Sequence, residues 1–174
     1  MKKFLLVVLT VILLISSVPA NAGSNSSPSF ESQRIIVYNP ETKCYEEITA
    51  SSITTLPDGR QLIVSDILDL SFSKASGGVT SSKSYNFVNN NNVLLWRVTL
   101  TASFTFDGYS ATCTSADSVT TVYQGNWSES SNNTYPVGNS AVAQVTVVRK
   151  VLFIVVETQN VTLTITCDGN GHVS

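Results

Sequence analysis

The chain is poor in the side chains that carry chemistry. Histidine occurs once, at position 172, and cysteine three times, at 44, 113 and 167. A serine or cysteine triad therefore lacks a base, and no group of these residues has zinc-ligand spacing. Paired carboxylates are equally wanting, because Asp66 and Asp69 fall on opposite faces of one expected strand. No catalytic residue, metal site or cofactor site is predicted. Basic residues are few as well. With Lys2 and Lys3 set aside, eight Lys and Arg face twelve Asp and Glu, and Arg149-Lys150 is the only adjacent basic pair left. Neutralising nucleic-acid phosphates needs a basic stripe, so DNA and RNA are excluded as partners.

Long apolar runs are missing too, with one exception. Met1-Lys2-Lys3 opens onto twelve largely apolar residues, 4–15, and a more polar stretch then closes on Ala20-Asn21-Ala22. The run falls short of the roughly 20 residues that a bilayer-spanning helix needs. A positive start, an apolar centre and small residues at Ala20 and Ala22 define a cleaved secretory signal. Cleavage is expected after Ala22, leaving a mature chain without a transmembrane segment. No lipid-attachment cysteine follows and no sorting motif closes the chain, so release to the extracellular space is expected.

Helical spacing is absent from the mature chain, and period two takes its place. Trp96, Val98, Leu100, Ala102, Phe104 and Phe106 alternate with Arg97, Thr99, Thr101, Ser103 and Thr105. Such alternation gives a strand one buried and one wet face. Asp107-Gly108 and Gly125-Asn126 carry the chemistry of tight hairpin turns, and Pro57-Asp58-Gly59 and the four asparagines at 89–92 read as turns. Residues 74–84 read as a loop or a frayed edge, and 130–138 as a loop. Residues 151–156, apolar on both sides, read as a central strand, with a turn at 158–160. Eight to ten short strands predict an all-β antiparallel sandwich, immunoglobulin-like in type. The expected organisation is a signal peptide over 1–22, a disordered lead-in over 23–33 and a single domain over 34–174.

An oxidising compartment favours disulfides, although an odd count leaves one thiol over. Cys113 and Cys167 each end an alternating apolar stripe, Tyr109-Ala111-Cys113 and Val161-Leu163-Ile165-Cys167, and both are expected to point inward. That pair is favoured over either pairing with Cys44, which sits in a polar stretch and reads as free or intermolecular. Three unpaired thiols are the alternative, since buried cysteine also behaves as a small apolar residue. Trp127, just after a turn, is the candidate for an exposed surface-binding residue. Asp168-Gly169-Asn170-Gly171 resembles the opening of a calcium loop, but the chain ends at Ser174, before a twelfth ligand position; a terminal turn is the default.

Several of these features occur together in a recognisable order. The run Leu100-Thr101-Ala102-Ser103-Phe104-Thr105-Phe106-Asp107-Gly108, then Ser110-Ala111-Thr112-Cys113, Trp127 and Cys167-Asp168-Gly169-Asn170-Gly171, resembles small secreted all-β proteins of unknown function from Firmicutes. The resemblance covers residues 94–174. It implies a Gram-positive source and pairing of Cys113 with Cys167, and it carries no activity with it. The expected function is a secreted, non-catalytic binding or structural module at or outside the cell envelope, with a protein or glycan ligand. The alternative is a membrane-active toxin or antimicrobial protein that uses the 94–123 hairpin, whose length suits a tilted spanning strand.

Overall fold

The long alternating segment forms β5, Leu94–Phe106, in a computed structural model that describes residues 33–67 and 77–174. Its even-numbered side chains from Trp96 to Phe106 are buried and its odd-numbered ones face the other way. Two strands, β4 (Gly77–Val88) and β6 (Ala111–Val122), flank it in antiparallel register. Adding β1 (Gln33–Asn39), β2 (Cys44–Thr55) and β3 (Gln61–Ile67) completes a six-stranded sheet in the order β1-β2-β3-β4-β5-β6. A second sheet holds β7 (Trp127–Val137), β8 (Ser140–Val151) and β9 (Ile154–Thr166). The described residues are thus all-β and include no helix long and apolar enough to cross a membrane.

The two sheets share one core. The stripe of β5 meets Ala141, Ala143, Val145 and Val147 of β8 and Val161, Leu163 and Ile165 of β9. At one end of this layer Trp96 stacks on Phe87 at 5.1 Å, and Trp127 closes over both rings. On the opposite face of the large sheet a smaller cluster gathers Val37, Ile48, Ala50, Ile63, Val88 and Leu94. There the β1–β2 hairpin reaches the start of β5, where the Tyr38 amide donates to the Asn92 carbonyl at 2.8 Å. A polar chain runs beside this cluster. Asn86, fully buried, donates to the Ile63 carbonyl and accepts from Arg97, which in turn binds Glu46 at 2.9 Å. Burial works against the Glu46 charge, but hydrogen bonds from Asn39 and Arg97 outweigh it and hold the carboxyl below its usual range.

Several expectations are corrected. Every hydrogen-bonded strand neighbour is also a neighbour in sequence, whereas an immunoglobulin sandwich requires Greek-key connections. The immunoglobulin-like arrangement is therefore not the strand order found: strand number and spacing do not encode the order of connection. Residues 77–84 are neither loop nor edge but open β4, an inner strand between β3 and β5. The stretch 130–138 is not a loop but most of β7, whose Ser118–Thr134 and Thr120–Glu129 contacts hold it to β6 by side chains rather than by a backbone ladder. Residues 158–160 lie inside β9. The terminal turn is anchored, because Thr166 and Ser174 exchange two backbone hydrogen bonds and the Gly108 amide donates to the Gly169 carbonyl. A side chain at Gly169 would place its Cβ 2.4 Å from the Tyr109 carbonyl carbon, so the close approach of these two turns demands glycine. The signal peptide with Ala20 and Ala22, most of the lead-in, and Asp69 lie outside the described residues.

Packing of this kind makes a sharp contrast between neighbours on β5. Leu100 is fully buried, and Thr101 is exposed and bonded only to the Ser82 hydroxyl across the strand pair. Leu100→Ala is expected to cost about 2–5 kcal/mol in urea unfolding, and Thr101→Ala no more than about 1 kcal/mol. Equal losses at the two positions would contradict the assigned faces.

Candidate functional site

The apolar run at 151–156 does not enter the core. Buried side chains in β8 end at Val148; Arg149 and Lys150 are exposed, and so is every residue from Val151 to Val156. The cause lies in the lengths of three strands. β7 begins at Trp127, which pairs with Arg149. The rungs Lys150–Val155 and Val151–Ile154 therefore project past the first residue of β7; the Lys150 amide still donates to the Asn126 carbonyl at 2.8 Å, and among the described residues no third strand lies beside the outer rung. The expectation of a central strand at 151–156 is thus overturned. Two apolar faces are what an interior strand needs, and this segment spends them on the end of a hairpin.

The turn itself is built against local preference. Leu152 and Phe153 are the two residues between paired Val151 and Ile154, and both have positive φ, 48° and 70°. A two-residue turn with both φ angles positive favours Asn-Gly, because a Cβ crowds the backbone there. Large apolar side chains add a second penalty in water: Leu152 is 85% exposed and Phe153 98% exposed. Strain and apolar exposure at the same two positions mark a surface kept for something other than stability.

At the base of the hairpin the side chains turn polar. Glu157 takes Arg60 at 2.8 Å and Arg149 at 3.3 Å, and Arg60 also donates to Asp58 at 2.7 Å. Hydrogen bonding from Arg60 holds the Asp58 carboxyl below its usual range. The Arg60 guanidinium lies over the Phe87 ring at 5.0 Å, and that of Arg149 faces the Trp127 ring at 6.0 Å. Between them opens a cleft of about 440 Å³, lined chiefly by Arg60, Gln124, Asn126, Trp127 and Arg149. Its charges neutralise one another, and it holds no nucleophile beside a base.

The residues singled out in the sequence fall elsewhere. Trp127 is only 7% exposed and packs in the aromatic end of the core, so the exposed platform expected there is corrected; only its edge reaches the cleft. The expected disulfide between Cys113 and Cys167 is absent, and all three cysteines are free. The Val161–Cys167 stripe points inward as expected, whereas of Tyr109-Ala111-Cys113 only Cys113 is buried and Tyr109 is 96% exposed; alternation in any case fixes a side, not the separation of two sulfurs. Each buried thiol instead donates to a nearby carbonyl, Cys113 to Ser115 and Cys167 to Asp168. Burial pushes both thiols up from their ordinary range. Asp168 spends its carboxylate on the Asn170 and His172 amides and the His172 ring, and no His, Cys, Asp and Glu group able to hold a metal occurs among the described residues. Leu152 and Phe153 were not foreseen, although a charged pair followed by six apolar residues, too few to fill a long strand, was a signal for them.

With the geometry described, comparison with protein-family models, curated proteins and solved structures finds no match to this chain.

Two outcomes follow for this region. In the native protein only Cys44, which is exposed, is expected to react rapidly with a thiol reagent; Cys113 and Cys167 should react only on unfolding. An intact mass two protons light, with a single titratable thiol, would contradict this. Replacing the tip by Leu152→Asn with Phe153→Gly should raise stability by about 2 kcal/mol in urea unfolding, since each left-handed residue costs about 1–2 kcal/mol. A loss of stability would show that the tip is packed.

Proposed function

We propose that the chain is a secreted, non-catalytic binding module that acts at or outside the envelope of a Gram-positive bacterium and contacts its target through the tip of the β8–β9 hairpin. One observation carries the reading: Leu152 and Phe153 are held in an unfavourable conformation with their side chains in water. Full burial of each against a partner is worth roughly 1.5–3 kcal/mol, which offsets what the turn costs. The export signal read from Met1 to Ala22 supplies the compartment, and the resemblance to Firmicutes proteins supplies the source. The absence of a base near any nucleophile of the cleft favours binding over turnover.

The second reading, a membrane-active protein using the 94–123 hairpin, has less behind it. Trp96, Val98, Leu100 and Phe104 would have to leave the interior that they fill. β5 would also have to surrender its ladders to both β4 and β6.

The test is to express the full chain, with its leader, in a Gram-positive host and to fractionate medium, washed envelope and cytoplasm. Protein beginning at Gly23 is expected in the medium and on the envelope, with the Leu152→Asn, Phe153→Gly variant processed equally but shifted into the medium. Unprocessed protein confined to the cytoplasm would overturn the secreted reading. Identical partition of the two proteins would overturn the role of the tip.

A further inference from the structure

Resting on the reading of the hairpin tip as the contact surface, we infer that its target is a lipid bilayer with anionic headgroups, into whose interface Leu152, Phe153 and Ile154 insert. Four observations meet in this assignment. The first is shape. The tip is a convex wedge, with Leu152, Phe153 and Ile154 among the most exposed large side chains of the described residues. A medium that deforms around a wedge accepts it without a preformed pocket.

The second is depth. Two rungs, Val151–Ile154 and Lys150–Val155, separate the turn from the polar ring of Arg149 and Glu157. At about 3.4 Å per rung the apolar part is about 7 Å deep, and interfacial elements bury about 5–10 Å into the headgroup and acyl boundary. The same count rules out spanning, which takes strands of about 9–11 residues. The third is backbone satisfaction. Unpaired amide and carbonyl groups are costly in lipid; a two-residue turn leaves few of them at the tip, and on the second rung the Lys150 amide is met by the Asn126 carbonyl at 2.8 Å. The register is regular over Val151–Ile154 and Lys150–Val155 and shifts only below them, at a bulge between Lys150 and Arg149.

The fourth is charge. Lys150 is exposed and has no ion pair among the described residues. It stands on the second rung, at the level of lipid phosphates when the turn is immersed. Arg149, one residue below, and Arg60 together balance Glu157 and Asp58, so the acidic groups at this end do not oppose an anionic surface. A basic side chain near such a surface is attracted within a Debye length. Insertion supplies the affinity and Lys150 the preference for anionic lipid.

The experiment is co-sedimentation of the processed protein with vesicles of phosphatidylcholine alone and of equimolar phosphatidylcholine and phosphatidylglycerol. Binding is expected to both and to be tighter to the mixed vesicles. The Leu152→Asn, Phe153→Gly variant should lose at least about tenfold on each. Lys150→Gln should remove the preference for phosphatidylglycerol and its salt dependence while leaving the phosphatidylcholine affinity in place. Phe153→Trp should shift its emission to the blue on vesicles, against Trp96 and Trp127, which are already buried. Binding that the Asn-Gly variant retains in full would overturn the inference. So would no binding to either vesicle. In that case, sedimentation equilibrium of the wild type and the Asn-Gly variant separates the two failures. A self-association abolished by the variant makes a second copy the occupant and leaves the contact role of the tip standing, whereas a monomer in both cases removes lipid and second copy together.

Discussion

One face of one strand sets the architecture. Trp96, Val98, Leu100, Ala102, Phe104 and Phe106 are all buried on β5, and among the described residues no other strand presents so long an unbroken apolar edge. In water that face must be covered, and the three-stranded sheet covers it with the small and branched side chains of β8 and β9. The match is one of volume. Alanines at 141 and 143 lie in the same layer as the aromatic side chains of β5, and the larger Val161, Leu163 and Ile165 fill the space beside them. Interdigitation of large and small residues lets two sheets approach closely.

The position of the candidate site is a consequence of that packing. β8 and β9 are longer than the core requires. Their register with β7 and with each other is fixed by the buried stripes from Ala141 to Val147 and from Val161 to Ile165. Once those stripes are seated, the remainder of the hairpin has nowhere to go but outward past Trp127. A one-residue slip to draw Leu152 inward would turn Ala141, Ala143, Val145 and Val147 to solvent. The rigid core thus holds the apolar tip in water, and the Arg60–Glu157–Arg149 cluster braces the hairpin where it leaves the body of the protein.

Local pattern made part of this legible. The alternation over 96–106 and the turns at 57–59 and 89–92 are readable because each is decided by residues within a few positions of one another. What sequence reasoning missed depends on distant partners. Beyond the charged pair before it and its shortness, nothing local distinguishes Val151-Leu152-Phe153-Ile154-Val155-Val156 from an interior strand, because its turn contains no Gly, Asn or Asp and its exposure is set by where β7 begins, some 25 residues earlier. Trp127 follows a turn and so reads as surface, but that turn is a corner between sheets, and the strand it opens faces inward from its first residue. The same limit applies to the cysteines. An inward side is legible from alternation, whereas the separation of Cys113 and Cys167 depends on how the two sheets are offset.

The account stands on the division between Phe104 and Trp96 inside and Leu152 and Phe153 outside. Hydroxyl-radical footprinting of the protein, read peptide by peptide with mass spectrometry, measures that division directly. Heavy oxidation at Phe153 and Leu152, with Trp96 and Phe104 protected until the protein unfolds, is the predicted result. Protection of Phe153 in the monomeric protein, or labelling of Phe104 as fast as Phe153, would contradict it.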